Sequence, residues 1–309
     1  MALDSVSTPF GEVERVAGGA ATYAAIASSL LAPPQVVGVV GGDFPQEALA
    51  TLERRGADLE GVEIIPEGKS FFWQGVYDYD LSERESLVTD LNVFGDFNPI
   101  LPDNYRDSRF CFLANIQPQV QLAVLNQLHD ACFVMCDTMD YWIESERDAL
   151  EEVLSRVDIA LLNDAETRQL AGTANLAIAA EYVLDIGPEF VVIKKGEYGA
   201  TLVSANDYFS IPSYPLPNVV DPTGAGDSFA GGMIGLLAHQ GDCSAMQLRR
   251  AMAFGTVIAS AAIEDFSLAG LERLDAAELQ RRYEELREIV RFEAMEWEQL
   301  QGSPGCWRD

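Results

Sequence analysis

The sequence has few basic residues, and this shortage excludes one broad class of function. It contains 20 lysines and arginines against 49 aspartates and glutamates, which gives a formal charge of -29 over 309 residues. Such an excess of negative charge repels phosphate backbones, so a broad electrostatic grip on DNA or RNA is excluded. Only three of the basic residues are lysines: Lys69, Lys194 and Lys195. This composition suits a salt-tolerant host, and at least as well an ordinary acidic cytosolic protein.

Cysteine and histidine are also scarce, which argues against a structural zinc site. The scarce residues are Cys111, Cys132, Cys136, Cys243, Cys306, His129 and His239. The cysteines are odd in number and lack the paired short spacings of a metal site or a disulfide framework. They are interpreted as buried, reduced thiols in the cytoplasm.

The sequence also lacks a segment suited to a membrane. The first twelve residues have neither a basic region nor an apolar core, so no secretion signal is predicted. Residues 16–42 carry no charge, but Gly18-Gly19 and Pro33-Pro34 interrupt them, whereas a membrane span needs about 20 apolar residues without a break. These features predict a cytoplasmic protein with no membrane partner.

Short apolar runs alternate with helical patterns along most of the chain. Buried strands are predicted at 36–40, 110–113, 133–136, 159–162 and 190–193. Helices are predicted at 20–31, 46–55, 119–128, 143–154, 165–171 and 176–184. This alternation is typical of an α/β fold with a doubly wound, mainly parallel sheet between two layers of helices. We therefore predict a single domain over residues 1–309.

Two regions depart from this alternation. Residues 62–91 contain three strand-like runs in succession, the first at 62–65, which predict a small β-sheet projecting from the domain. Its aromatic side chains suit ordinary packing, a dimer face or a lid over a ligand. The second region is a predicted C-terminal helix at about 275–299, with an apolar stripe formed by Leu279, Tyr283, Leu286 and Val290.

One expected element is missing at the start of the chain. A sheet of this kind usually opens with an apolar strand, whereas this sequence opens with Met1-Ala2-Leu3-Asp4. We therefore predict that the first strand is absent, either because the fold starts differently or because the natural start lies upstream. Loss of an interior strand would leave unpaired neighbouring strands and an apolar slot, which puts the stability of the chain in question.

The segment 218–227, with the sequence NVVDPTGAGD, carries the chemical information. An apolar stripe follows it and predicts a helix that begins near Asp227. Unpaired N–H groups at a helix start attract anions, and Gly224-Ala225-Gly226 would let a phosphate approach the backbone closely. Asp227 is then either a helix N-cap, the more common use, or a base that takes a proton from a hydroxyl attacking that phosphate. Phosphoryl transfer to an alcohol needs both an anion cradle and a base.

This segment resembles the C-terminal signature of the ribokinase-like (PfkB) carbohydrate kinases, Asp-Thr-x-Gly-Ala-Gly-Asp. Three further segments resemble motifs of that family in the family's order: residues 17–19 (AGG), 162–166 (LNDAE) and 193–199 (IKKGEYG). The extra sheet at 62–91 matches the family's substrate lid. The resemblance spans nearly the whole chain and implies ATP-dependent phosphorylation of a hydroxyl on a sugar or sugar-like molecule. It implies ATP and Mg²⁺ as cofactors and leaves a monovalent cation open.

The resemblance also implies a role for particular residues. Asp227 would be the base, and the amides of Gly224, Ala225 and Gly226 would form the anion hole. The other implied residues are Asp4, Gly18 and Gly19 for the substrate, Lys194, Gly196 and Gly199 for the nucleotide, and Asn163 and Glu166 for Mg²⁺ through its water shell. Simpler roles stay open for several of them: close packing for the glycines, helix capping for the asparagine and glutamate, and a surface strand end for the lysine.

Departures from the family pattern leave the identity of the acceptor molecule open. Sugar-binding members often have asparagine shortly after the Gly-Gly pair, whereas this chain has Thr22 and Tyr23, and Pro222 replaces a commoner threonine. The small-molecule substrate is predicted to be a sugar, with an adenosine-like nucleoside stacking on lid aromatics or on Tyr23 as the alternative. A non-catalytic kinase-like binding protein is a further alternative. Exposed lid strands suit a homodimer.

Overall fold

The computed structural model describes residues 1–81 and 84–295. The strands are β1 (Ala2–Thr8), β2 (Gly11–Gly18), β3 (Gln35–Gly41), β4 (Asp58–Ile65), β5 (Phe71–Tyr77), β6 (Arg84–Asp90), β7 (Phe110–Leu113), β8 (Phe133–Asp137), β9 (Ile159–Asn163), β10 (Phe190–Lys194), β11 (Ala200–Val203) and β12 (Tyr208–Ile211). The helices are α1 (Ala20–Ser29), α2 (Gln46–Arg54), α3 (Pro118–Leu125), α4 (Asp140–Ser145), α5 (Arg147–Leu154), α6 (Asp164–Ala171), α7 (Leu176–Ile186), α8 (Ala225–Gln240), α9 (Ala245–Ala262), α10 (Ala269–Arg273) and α11 (Ala276–Ile289). Among the described residues, no helix is long and apolar enough to cross a membrane.

The central sheet has six strands in the order β12-β11-β10-β9-β8-β7. Strands β7 to β10 are parallel, and β11 and β12 extend the sheet in antiparallel fashion. Leu161 packs in the core that contains α8 and α9, while its neighbour Leu162 packs in the core that contains α5 and α7. Helices therefore cover both faces, as the unbroken apolar runs predicted. The carboxyl ends of β8, β9 and β10 bring Asp137, Asn163 and Lys194 to one edge of the sheet.

The lid is a separate four-stranded sheet in the order β2-β1-β5-β6. The predicted lid boundary of 62–91 is wrong at its start, because residues 62–65 belong to β4, which pairs in parallel with β3. Two strands of the lid come instead from residues 2–18, which were not predicted to be strands. These strands mix polar with apolar residues and join at a tight turn, so they give no continuous apolar signal.

The central sheet is interrupted between β7 and β3. Strand β3 pairs with β4 in a two-stranded sheet, and no described strand joins it to β7. A cavity of about 1060 Å³ is lined by both strands and by residues of α1 and α8, and it continues to Asp4 and Asp227. The apolar slot that the sequence predicted within the sheet is therefore present.

Helix α1 packs closely against α8 through small residues. A Cβ at Gly231 would lie 2.3 Å from the carbonyl oxygen of Ala24, so no larger residue fits there without a shift. This contact explains why α1 is rich in small residues, and it holds α8 close against α1.

The C-terminal helix α11 packs on α9. Tyr283 lies 4.7 Å from Phe254 between ring centroids, and Arg282 forms ion pairs with Glu264 at 2.6 Å and Glu278 at 2.7 Å. The predicted end at 299 is wrong, because the helix ends at Ile289 and residues 290–295 are not helical. Residues 296–299 of that prediction lie outside the described residues.

Candidate active site

Asp227 lies in the first turn of α8, at the end of the glycine-rich loop. The N-cap of α8 is Gly224, with a φ of 77°, and no side chain caps this helix. A Cβ at Gly224 would lie 2.5 Å from the ring of Tyr23, so the loop rests directly on α1. The interpretation of Asp227 as an N-cap is therefore wrong, and its carboxylate is available for another role.

The backbone amides of this loop are not all available to a ligand. The N–H of Ala225 donates to the carbonyl of Pro222 at 3.2 Å. Among the described residues, the N–H groups of Gly224, Gly226 and Asp227 have no hydrogen-bond partner. The predicted anion hole stays a prediction, but the turn engages the amide of Ala225, whereas the amides of Gly224, Gly226 and Asp227 are available to a ligand.

The environment of Asp227 favours the protonated form of its carboxyl. Removal from bulk water raises its pKa to about 6, and the negative charge of Asp137 acts in the same direction. The positive charges of Lys194 and Arg84 oppose this rise. A carboxyl with a pKa near neutrality is well matched to accepting a proton at physiological pH.

Asp4 lies in β1, is 4% exposed, and faces the same cavity as Asp227. Burial raises its pKa to about 7, although the N–H of Gly19 stabilises the carboxylate. A Cβ at Gly18 would lie 1.9 Å from Oδ2 of Asp4, so glycine is required beside this carboxyl. The structure thus brings the predicted base together with Asp4 and Gly19, and places Gly18 against Asp4.

Aromatic and amide side chains line the cavity beyond these carboxyls. They come from the lid, from the segment after β7 and from α4: Phe71, Trp73, Asn115, Gln117 and Tyr141. The indole N–H of Trp142 donates to Oδ1 of Asn115 at 3.0 Å. Because an indole N–H can only donate, this bond fixes the orientation of the amide and leaves its NH₂ group without a partner among the described residues.

Lys194 links the edge of the central sheet to the loop. Its Nζ donates to Oδ2 of Asp137 at 2.5 Å, in a pair whose side chains are only 19% and 4% exposed. The same Nζ lies 3.3 Å from the position of a Cβ at Gly226. Lys194 is therefore partly buried next to the free amides, and the interpretation of it as a surface strand end is wrong.

Asn163 and Glu166 form a capping box at the start of α6. Glu166 accepts hydrogen bonds from the backbone N–H and from Nδ2 of Asn163, both at 2.7 Å, and its own N–H donates to Oδ1 of Asn163 at 2.7 Å. Burial raises the pKa of Glu166 to about 7, and Lys194 opposes the rise. The capping role left open by the sequence is therefore present, within reach of the charge of Lys194.

These residues suit a hydrated magnesium ion better than a dehydrated one. Among the described residues, no group of three or more aspartate, glutamate, histidine or cysteine side chains could enclose a metal ion. Each oxygen of Glu166 already accepts one hydrogen bond, so it retains lone pairs for bound water. Mg²⁺ keeps several waters and takes few direct protein ligands at nucleotide sites, so the donor set fits.

Gly196 and Gly199 lie in the turn between β10 and β11, and neither lines the cavity. Both have positive φ, and a Cβ at Gly199 would lie 2.0 Å from the carbonyl oxygen of Ile211. The backbone of this turn therefore accounts for both glycines. Their predicted contact with a nucleotide stays a prediction.

Tyr23 and Tyr77 differ from the expected ligand-stacking aromatics. Tyr23 is 1% exposed because Gly224 covers its ring, so the prediction that a nucleoside stacks on it is wrong. The hydroxyl of Tyr77, at the end of lid strand β5, accepts a hydrogen bond from Oγ1 of Thr223 at 3.2 Å. The lid is thus joined to the glycine-rich loop.

Three residues of the site were not predicted from the sequence: Asp137, Asn115 and Arg84. Asp137 ends a buried parallel strand, and the rule that ligands bind at the carboxyl edge of such a sheet could have identified it. Asn115 also follows a strand at that edge. Arg84 had no such signal, because only the register of the lid shows that its side chain lines the cavity.

The known proteins that this chain resembles in sequence and in fold are carbohydrate and nucleoside kinases. The family model of the pfkB family carbohydrate kinases matches residues 3–272 of this chain. The chain is 32% identical over 240 residues to the cytidine kinase of Thermococcus kodakarensis, an alignment that covers 76% of this chain and 84% of that protein. The nucleoside kinase of Methanocaldococcus jannaschii superposes with a TM-score of 0.72 at 17% identity, covering 92% of this chain and 95% of that one.

A proposed ribokinase II from E. coli, solved in complex with ATP and Mg²⁺, has a TM-score of 0.73 at 21% identity. That alignment covers 92% of this chain and 96% of the other. Because identity to both solved structures is low, these likenesses establish the fold alone. The family match and the 32% identical relative establish membership of the family.

Proposed function

The chain belongs to the pfkB family of carbohydrate kinases and transfers a phosphoryl group from ATP to a hydroxyl of a sugar-like molecule, and we propose that this molecule is a nucleoside. The observation that carries the proposal is the composition of one cavity. It joins Asp4 and Asp227 to a compartment lined by Trp73, Tyr141 and the oriented amide of Asn115. A sugar alone offers hydroxyls to carboxylates, whereas a nucleoside also offers a flat ring and ring nitrogens to aromatic and amide groups.

In the proposed reaction, Asp227 accepts the proton of the acceptor hydroxyl. The hydroxyl oxygen forms a bond to the γ-phosphorus of ATP, the bond from that phosphorus to the bridging oxygen breaks, and ADP leaves with the electron pair. The amides of Gly224, Gly226 and Asp227 donate to the transferred group, and the positive end of α8 favours its negative charge. Lys194 supplies a positive charge on the same side.

Asp4 would accept hydrogen bonds from sugar hydroxyls, with Gly18 and Gly19 allowing the backbone to approach. Its buried carboxyl makes such bonds strong, since few waters compete with them. The NH₂ group of Asn115 would donate to a ring nitrogen or carbonyl oxygen of the base. The cytidine kinase relative supports a pyrimidine nucleoside as the first acceptor to test.

Glu166 and Asn163 would hold Mg²⁺ through its water shell, and the bound ion would neutralise charge on the nucleotide phosphates. A monovalent cation is also part of the proposal. Oδ2 of Asp221 is buried and has no hydrogen-bond partner among the described residues, which is the kind of donor such an ion takes. We expect potassium to raise turnover in the wild type and to have little effect in Asp221→Ala.

A homodimer through the lid and a cytoplasmic location complete the proposal. Val76 and Leu87 are 36% and 49% exposed on lid strands, which supports the first. The four described cysteines are free thiols, which supports the second. Light scattering of the wild type and of Leu87→Glu tests the dimer, because a charge in an apolar interface opposes association.

The acceptor is tested by incubating the purified protein with ATP, Mg²⁺ and a panel of nucleosides and free sugars. ADP release and the mass of the phosphorylated product are measured. The proposal expects a much higher kcat/KM for one nucleoside than for ribose or fructose. A preference for a free sugar would overturn the nucleoside assignment, and transfer to none of the acceptors would favour the non-catalytic alternative.

A matched pair of variants sharpens the test. Trp73→Ala should raise the KM for a nucleoside about tenfold or more, since stacking of a base on an aromatic ring is worth about 1–3 kcal/mol. Phe72→Ala is the control, because neighbouring residues on β5 point to opposite faces of the lid. Equal effects of the two variants would contradict the stacking role of Trp73.

A further inference from the structure

Gln121 is a buried polar residue that the proposed reaction does not use. It lies in α3 and is 1% exposed. Its Nε2 donates to the carbonyl oxygens of Ala114 at 2.9 Å and Asp137 at 3.0 Å, and more weakly to that of Leu113 at 3.5 Å. The thiol of Cys136 donates to its Oε1 at 3.7 Å. Every polar atom of this amide is therefore bonded within the protein.

These bonds lie where strands β7 and β8 stop pairing with each other. The last residues that the two strands pair are Leu113 and Cys136. The carbonyls of Ala114 and Asp137 come directly after this pair, and carbonyls in the interior need a hydrogen-bond partner. The amide of Gln121 supplies a partner to both, in place of a further rung of the sheet. It thereby extends the junction of β7 and β8 by one residue.

The two carbonyls belong to segments that serve different parts of the site. Asn115 directly follows Ala114, and its oriented amide lines the cavity. The side chain of Asp137 accepts the hydrogen bond of Lys194, whose Nζ lies next to the glycine-rich loop. One buried amide thus joins the backbone that carries a group for the acceptor to the backbone that carries a group for the phosphate.

We propose that Gln121 is a positioning residue, whose amide holds Asn115 and Asp137 in the relative placement that transfer requires. It acts through these two residues and not by touching ATP or the acceptor, since its NH₂ group and its Oε1 are already engaged. The inference deepens the proposed function, on which it rests. A displacement of about 1 Å in groups that align reactants can cost about 100-fold in rate.

The chemistry of the side chain explains why glutamine suits this position. Its NH₂ group offers two donors on one nitrogen, so it can serve two carbonyls at once. A carboxylate offers no donor, and a protonated carboxyl offers one. An apolar side chain of the same length offers none and leaves both carbonyls without a partner.

Gln121→Met tests the proposal, because it keeps the length of the side chain and removes its donors. We expect the acceptor KM to rise and kcat to fall, so that kcat/KM drops by about 100-fold. Urea denaturation confirms that the variant is folded under the assay conditions. Wild-type kcat and KM in the folded variant would overturn the proposal.

Gln127 provides a matched control. Its Nε2 donates to the carbonyls of Pro99 and Ala123, both at 2.9 Å, and its Oε1 accepts a bond from the N–H of Leu101 at 2.9 Å. It therefore also holds backbone through its amide, but at residues 99–101 and not at Asn115 or Asp137. Gln127→Met should lower the unfolding free energy while kcat and KM stay close to the wild-type values. Equal kinetic losses in the two variants would make the role of Gln121 merely structural.

Gln121→Glu is the conservative variant, and it should recover part of the lost activity at low pH. Burial raises the pKa of a carboxyl, so near pH 6 this side chain should be protonated and return one donor. At that pH its kcat/KM should lie between those of the wild type and of Gln121→Met. A value at or below that of Gln121→Met would contradict the role of the donors.

A double-mutant cycle tests whether the effect on the acceptor passes through Asn115. Gln121→Met should raise the acceptor KM about tenfold in the wild-type background and at most about twofold in Asn115→Ala, because residues that act together are not additive. Additive effects of the two substitutions would exclude this route.

A binding measurement separates this inference from the choice of acceptor. ADP with Mg²⁺ and aluminium fluoride mimics the group in transfer, and calorimetry compares its affinity with that of ADP alone. The wild type and Gln127→Met should bind the mimic more tightly than ADP, and Gln121→Met should lose most of this difference. If Gln121→Met keeps both this difference and wild-type kinetics, the inference fails while the kinase activity stands. If the wild type prefers a free sugar, only the nucleoside proposal fails, and the same variants are compared with that sugar.

Discussion

The two sides of the candidate active site are built in contrasting ways. On the phosphate side, formed by Asp137, Asn163, Glu166 and Lys194, each of these side chains has a partner within the protein. On the acceptor side, which contains Asp4, three buried atoms that do not line the cavity have no partner among the described residues: Thr22 Oγ1, Asp221 Oδ2 and Ser228 Oγ. Thr138 Oγ1 is a similar exception next to Asp137.

The phosphate side is therefore preorganised by bonds within the protein, whereas the acceptor side keeps polar atoms without a partner. Buried polar groups usually find partners, and those that do not are candidates for binding water, an ion or a substrate. The phosphate side receives a group that is the same in every reaction cycle, so fixed bonds suit it. The unpartnered atoms of the acceptor side lower the stability of the folded protein.

Asp227 stands between the two sides, and replacing it should have the largest effect. Asp227→Asn removes the base but keeps the shape of the loop, so kcat should fall by about 10²–10⁴-fold. Binding of ATP, measured by calorimetry, should be nearly unchanged. Asp107→Asn, at an exposed aspartate that pairs with His129, is the matched control. Wild-type turnover in Asp227→Asn would remove the base assignment.

Lys194→Met should destabilise the phosphate side of the site. The variant leaves the buried carboxylate of Asp137 without its partner, which typically costs about 3–5 kcal/mol of unfolding free energy. Urea denaturation measures the loss. Adding Asp137→Leu should restore much of the stability without restoring transfer. A single Lys194→Met variant as stable as the wild type would show that the phosphate side is not held by this ion pair.

On the acceptor side, Asp4→Asn should raise the stability of the folded protein, whereas Lys194→Met on the phosphate side should lower it. The folded-state pKa of Asp4, about 7, exceeds the usual 3.8, so the folded protein holds a proton that the unfolded chain releases as pH rises between these values. The wild type therefore loses stability over that window, by up to the order of 1–4 kcal/mol from this group.

The amide of Asp4→Asn cannot ionise, so the variant should be more stable than the wild type at pH near 8 and similar to it at pH near 4. It should also bind the acceptor poorly. Denaturation at the two pH values provides the measurement. A variant that is destabilised at the higher pH would contradict the contrast between the two sides.

The smallest expected effect is on the pH profile. The value of kcat/KM should rise with pH between about 6 and about 7, where Asp227 and Asp4 lose their protons in the free enzyme. Asp137→Asn should move the lower midpoint down by a fraction of a pH unit, because Asp137 raises the pKa of Asp227. Arg84→Gln should move it up. A profile that is flat across this range would exclude both carboxyls from the rate.

The fold could be predicted from the sequence wherever apolar content alone determined the structure. Strands β7 to β10 follow apolar runs that lie between helices, and the predicted bounds differ from the observed ones by at most one residue. The lid could not be predicted in the same way. Its strands mix polar with apolar residues, and the run at 62–65, which contains no fully buried residue, pairs with β3 outside the lid.

The candidate site, like the fold, could be predicted from the sequence only in part. The loop before Asp227 is specified by local glycines, so the sequence revealed it. Tyr23, Asp137 and Arg84 acquire their surroundings from distant segments: Tyr23 is covered by Gly224, and Asp137 is paired with Lys194. Such contacts depend on the register and packing of whole elements, which a single sequence does not contain.

The interruption of the sheet has a consequence for the backbone itself. Strand β3 is largely buried and β7 is partly buried, yet each has one edge facing a cavity in place of another strand. Alternate amides of a strand point to opposite edges, so half of those in β3 and β7 are protected by β4 and β8 while the others are not. In heavy water the unprotected amides should exchange their hydrogens early, giving these two interior strands a deuterium pattern normally found at the rim of a sheet.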